Sequence, residues 1–100
     1  MTEDFGFFKT EMPFYREADY HLGCLDSSVY IDFNESKEGL ITLCRISFDC
    51  FGCCNIGDAA KPLNAEMSRQ FIEEIQKDIL DQKILTCIIK EIIKINKEFI

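Results

Sequence analysis

Leu40-Ile41-Thr42-Leu43-Cys44-Arg45-Ile46-Ser47-Phe48-Asp49-Cys50-Phe51-Gly52-Cys53-Cys54 decides how this chain is read. Taken alternately, Leu40, Thr42, Cys44, Ile46, Phe48 and Cys50 fall on one side, and all but Thr42 are apolar or thiol. Arg45, Ser47 and Asp49 fall on the other. Strands point successive side chains to opposite faces, so this pattern predicts a strand with one buried and one partly wet face. The alternation stops at Phe51-Gly52.

Upstream, Val29, Ile31 and Phe33 alternate with Ser28, Tyr30 and Asp32, the pattern of a second strand over Ser27 to Asn34. Asn34 to Gly39 is polar and ends in glycine, which suits a hairpin loop. Burial and register agree if Phe33 pairs with Leu40, Ile31 with Thr42 and Val29 with Cys44. Cys44 is then buried, and Arg45 lies near the Asp26 end of its neighbour as half of a surface ion pair. Phe14 to Leu22 reads as a short edge strand or a loop, because neither alternating set is cleanly apolar. The first 12 residues, before Pro13, fit no period and are expected to be frayed, with room for one aromatic tucked onto the domain.

Downstream, Asn55 to Pro62 reads as a loop and Asn64 caps a helix beginning at Ala65. Met67, Phe71, Ile75 and Ile79 form its apolar stripe, with Ile72 beside them, and Glu73 and Glu74 precede Lys77 at helical neighbour spacing. Asp81 is a good cap, so a break is expected there. A second stripe follows: Leu85, Ile88, Ile92, Ile95 and Phe99, widened by Ile84, Ile89 and Ile93. Strands followed by helices give an α+β class, one domain over residues 1–100, with an antiparallel sheet built on a β-hairpin and one face covered by two C-terminal α-helices.

The formal net charge is −7, and residues 1–40 hold nine acids against three bases, leaving residues 41–100 with nine acids and eight bases. Such a field repels nucleic acid and anionic membrane and favours basic partners; it also serves solubility. No apolar run approaches the roughly 20 residues of a membrane helix, and the acidic N-terminus is unlike a signal or transit peptide. The chain is read as cytoplasmic, or as a mature form without its leader. Six cysteines without a signal peptide favour reduced thiols over a disulfide scaffold.

Three chemistries were weighed against a binding role. His21-x-x-Cys24 and Cys50-x-x-Cys53 have the look of a zinc site, although Cys50 continues the buried alternation. This zinc-stabilised interaction module is the alternative reading; no metal ligand or other cofactor is otherwise expected. A catalytic cysteine lacks a nearby helix N-terminus to lower its pKa, and Arg45 is the only base at hand. The carboxylates Asp19, Asp26, Asp32 and Asp49 aim no two acids at one point and read as solvated. An enzyme is not expected. There remains the acidic-aromatic segment: Tyr15, Tyr20 and Tyr30 among Glu17, Asp19, Asp26 and Asp32. Tyrosine gives contact area at low entropy cost, and acids beside it complement a basic partner. These seven residues are the candidate partner-binding set, and none of Glu17, Asp19 and Asp32 is expected in the core. A broad terminal stripe also allows an obligate homodimer; monomer and homodimer both remain open.

Val29 to Phe33, Ser36-Lys37-Glu38-Gly39-Leu40-Ile41, Ile46-Ser47-Phe48-Asp49 with Gly52-Cys53-Cys54, and Leu80-Asp81-Gln82 before the last helix together resemble the small acidic immunity proteins of bacterial contact-dependent growth inhibition and related polymorphic toxin systems. The resemblance covers residues 20–97 in style and rests on no diagnostic motif. It implies a cytoplasmic, non-catalytic antitoxin that neutralises a cognate basic toxin domain, often a nuclease. The family is diverse in fold, so it carries no residue roles to this chain.

Overall fold

Ser36 closes the central hairpin with both its backbone and its hydroxyl. Its N–H donates to the Leu40 carbonyl at 2.9 Å, its carbonyl accepts from Gly39 N–H at 2.9 Å, and its Oγ accepts from Leu40 N–H at 3.1 Å. Gly39 sits at φ 82°, where a Cβ would be strained. In this computed structural model, which describes residues 6–10, 18–24, 29–48, 52–55 and 60–99, the turn joins β3 (Val29–Glu35) to β4 (Ile41–Phe48). β1 (Phe7–Lys9), β2 (Tyr20–Cys24) and β5 (Gly52–Asn55) complete a five-stranded antiparallel meander in the order β1-β2-β3-β4-β5. Helices α1 (Ala65–Ile75) and α2 (Gln82–Ile95) follow, then a 3-10 turn at Lys97–Phe99.

The expected class holds: an antiparallel sheet with two C-terminal helices packed on it. The expected hairpin register does not. Glu35 pairs with Ile41 and Phe33 with Leu43, then Asp32 with Arg45, Ile31 with Ile46 and Val29 with Phe48. Cys44 has no opposite number; it is the extra residue of a β-bulge. The short Ser36 turn sets the first part of the ladder, three positions from the expected pairing. An odd slip exchanges faces, so Ile41 and Leu43, rather than Leu40 and Thr42, are buried. The bulge then restores the phase, and Ile46 is buried as expected. The larger apolar set therefore faces the core from Ile41 to Ile46.

Both helix caps form where expected. Asn64 Oδ1 accepts from Met67 N–H at 2.8 Å, and Asp81 Oδ1 from Lys83 N–H at 3.0 Å. The expected α1 stripe is too long by a turn. The helix stops at Ile75, and Ile79 is 87% exposed. Glu74, almost fully buried, holds the break: its carboxylate accepts from Asp81 N–H and pairs with Lys77 Nζ at 2.9 Å. Within the first 12 residues, Phe7–Lys9 is an edge strand rather than frayed chain, and Phe7 is the aromatic tucked onto the domain, in the core at 1% exposure. Burying one large aromatic offsets the ordering of a short strand. β2 is an interior strand between β1 and β3 rather than an edge.

The core lies between sheet and helices. Phe7, Leu22, Ile31, Phe33, Ile41, Leu43 and Ile46 face Leu63, Phe71, Ile75, Leu85, Ile88, Ile89 and Ile92. Phe33 and Phe71 meet edge to face with centroids 4.9 Å apart. Buried polar groups lock the connection before α1. Ser68 Oγ accepts from Ile41 N–H at 3.0 Å and donates to the Leu63 carbonyl at 3.3 Å. Asn96, fully buried, accepts from Lys61 N–H at 2.8 Å and donates to the Lys61 and Ile92 carbonyls at 3.2 and 3.0 Å. Among the described residues no helix is long and apolar enough to cross a membrane.

Candidate functional site

The helices take one face of the sheet, and the strand register dictates what stands on the other. Phe8, Gly23, Tyr30 and Ser47 occupy one cross-strand row, since Phe8 pairs with Gly23, Gly23 with Tyr30 and Tyr30 with Ser47. His21, Asp32 and Arg45 occupy the next. The first row depends on a missing side chain. A Cβ on Gly23 would lie 3.1 Å from Tyr30 Cε1 and 3.4 Å from Phe8 Cζ, so both rings pack over the bare glycine backbone. Phe8 is 36% exposed and Tyr30 half-buried. Phe8 also borders a shallow cleft lined by Lys9, Asp78, Ile79, Leu80 and Gln82.

In the second row, His21 Nδ1 lies 2.9 Å from Asp32 Oδ1. Asp32 is 1% exposed, and its second oxygen, Oδ2, is buried without a hydrogen-bond partner among the described residues. The His21 side chain keeps 18% of its surface in solvent. A carboxylate only accepts, so in the neutral ring Nδ1 carries the proton and Nε2 is left as an acceptor. Nε2 makes no hydrogen bond among the described residues and is not buried.

The seven residues expected to bind a partner part company here. Tyr15, Glu17 and Asp26 lie outside the described residues. Tyr30 stands on the open face. Asp32 is on that face too, but buried rather than solvated as expected; the imidazole across from it supplies its hydrogen bond. Asp19 is exposed, but it extends the β2–β3 ladder: its N–H donates to the Phe33 carbonyl at 3.0 Å, and Oδ2 accepts from Glu35 N–H at 2.8 Å. Tyr20 belongs to the helix side. Its ring meets Phe71 edge on, centroids 5.5 Å apart, and its hydroxyl donates to Glu35 Oε1 at 2.6 Å. Burial first, then the Glu35 bond and charge, push its phenol up to about 12. Arg45 stands across from Asp32, not near the Asp26 end, because the turn register moves β4 three positions relative to β3 and the bulge adds a fourth. Sequence reasoning missed Phe8, Gly23 and the role of His21. The signal was the parity of His21 and Gly23 with Tyr30 and Asp32, which means something only once β2 is known to pair with β3.

The zinc alternative loses its geometry. His21 and Cys24 are three residues apart in a strand, so they point to opposite faces. Cys24 packs against the core, while His21 is engaged with Asp32. Cys50 lies outside the described residues. Among those described, no group of three or more His, Cys, Asp or Glu side chains is placed to hold a metal ion. Cys44 is buried as expected, though in the bulge rather than opposite Val29. Burial first, and the charge of Asp32 second, push its thiol up, the wrong direction for a nucleophile. The broad stripe of α2 is used within the chain: Leu85, Ile88, Ile89 and Ile92 are at most 2% exposed, so its width does not call for a second copy.

Comparison with protein-family models, with curated proteins and with solved structures finds no match.

Proposed function

We propose that this chain is a non-catalytic binding protein that neutralises a basic protein partner, in the manner of the small acidic immunity proteins it resembles. The partner would be a cognate toxin domain, a nuclease by the family's habit, and the place of action the cytoplasm. One observation carries the reading. The sheet face away from the helices carries Phe8, Tyr30 and His21, each partly exposed, in adjoining rows, on the half of the chain with nine acids and three bases. Aromatic rings held over glycine supply preformed contact area, and the surrounding negative charge speeds encounter with a basic surface.

The test begins at the neighbouring reading frame. A large secreted protein with a basic C-terminal domain is expected there. That domain is expressed alone, and its toxicity is measured with and without this chain. Neutralisation is expected, by a complex that forms more slowly as salt rises, because exposed charges are screened beyond about 8 Å at physiological ionic strength. Tyr30→Ala should weaken the complex about ten-fold or more, as loss of a central aromatic anchor does. A neighbouring domain that is neither bound nor neutralised overturns the reading.

A further inference from the structure

The face away from the helices holds, among the described residues, a polar constellation that packing does not require. Asp32 is buried on the side of the sheet away from the helices, accepts from His21 Nδ1 at 2.9 Å, and keeps Oδ2 without a partner among the described residues. A buried carboxylate with an unused oxygen is costly, and a packed apolar side chain there would be cheaper for folding alone. What the pair does is hold the imidazole. With Nδ1 fixed by the carboxylate, Nε2 is turned into a preset acceptor in contact with solvent, beside the Phe8–Tyr30 row.

We propose that the His21–Asp32 pair anchors a cationic side chain, arginine or lysine, of the protein partner. This rests on the binding role proposed above. In the neutral state Nε2 accepts a hydrogen bond from the incoming guanidinium or ammonium, and the Asp32 charge across from it adds attraction. The cation docks from the β1–β2 side, since the Arg45 charge stands across from Asp32 on β4 and would repel it. The charged and polar groups nearest in the register are Asp32 from β3, Arg45 from β4 beyond it, Asp19 just before the ring's own strand, and Tyr30 in the adjoining row. From β1 and the residue after it, Lys9 turns to the helix side to donate to the Lys77 carbonyl, and Thr10 donates its N–H to the His21 carbonyl.

His21 is the only histidine in the chain, so its ring resonances in an NMR spectrum need no assignment. The probe is a short arginine-rich peptide, titrated at low salt into the full chain. The ring signals should move saturably. His21→Gln can still donate to Asp32 but lacks the ring acceptor, so its binding should be weaker by about ten-fold or more; its circular dichroism should match the parent. Peptide binding that leaves the ring signals still, or that His21→Gln leaves unchanged, overturns the anchor and leaves the wider binding role standing. Failure of the parent chain to bind any cationic peptide at low salt overturns the anchor and the basic-partner reading together.

Discussion

Phe33 and Asp32 are neighbours on β3, and they show how differently the two faces of the sheet are built. Phe33 points to the helices and meets Phe71 at 4.9 Å, one contact within a continuous apolar layer. Asp32 points the other way and meets a single imidazole at 2.9 Å. On the helix side, close packing spreads the stabilisation over many side chains, each worth about 1.5–3 kcal/mol when fully buried. On the open side a few groups hold specific positions, and their arrangement depends on a glycine, a bulge and one hydrogen bond. Stability and recognition are therefore separable in this chain, and substitutions on the two faces should show it.

The largest effect is expected from Phe71→Ala. It empties the point where Phe33, Tyr20 and α1 converge, and should cost about 3–5 kcal/mol in chemical denaturation. Tyr30→Ala on the open face removes a half-buried ring, and should cost about 1–2 kcal/mol while costing more in partner affinity. If Tyr30→Ala proves as destabilising as Phe71→Ala, the open face is a second core and the comparison fails.

Ser68→Ala tests the polar lock under the helices. The hydroxyl serves Ile41 N–H and the Leu63 carbonyl in full burial, and neither can reach water once it is gone. A loss of about 1–3 kcal/mol is expected, with no change in binding by the open face. Amide exchange at Ile41 checks the mechanism: it should speed up in the variant more than exchange at Ile46, beyond the bulge. Equal protection at the two positions would mean that the hydroxyl is dispensable.

The helical half was legible because its signals are local. Asn64 and Asp81 announce caps, and the Leu85, Ile88 and Ile92 spacing needs no partner strand to be interpreted. The sheet was legible in kind but not in register. The phase change is written in the chain, with Ile41 and Leu43 at odd positions and Ile46 and Phe48 at even ones. A strict alternation read through Cys44 conceals it, because thiol passes for core on either face. The candidate site was the least legible part. His21 and Asp32 are eleven residues apart and converge only through β2–β3 pairing, which no local period reports. Ile79 shows the opposite failure: its spacing continues a stripe that the helix itself does not continue, because Glu74 turns its carboxylate to Asp81 and ends the run.

Tyr20 offers the smallest effect and a sharp check of which face it belongs to. Its ring lies against Phe71, and its hydroxyl donates to Glu35. Desolvation and the adjacent carboxylate both disfavour the phenolate, which raises the folded-state pKa to about 12 from an unfolded value near 10. A group raised in this way contributes stability that is fully present below the unfolded pKa. That contribution declines as pH climbs from about 10 towards 12, because the unfolded chain gives up its proton first. Stability measured by denaturant titration should therefore fall across this window, and ultraviolet difference absorbance should show one tyrosine ionising at its upper end. Tyr20→Phe keeps the ring contact and removes the proton, so it should flatten the slope and cost about 0.5–1.5 kcal/mol at neutral pH, the range for one hydrogen bond. A Tyr20→Phe variant that keeps the full alkaline slope would assign the late-titrating phenol to another tyrosine and put Tyr20 back among the candidates for the open face.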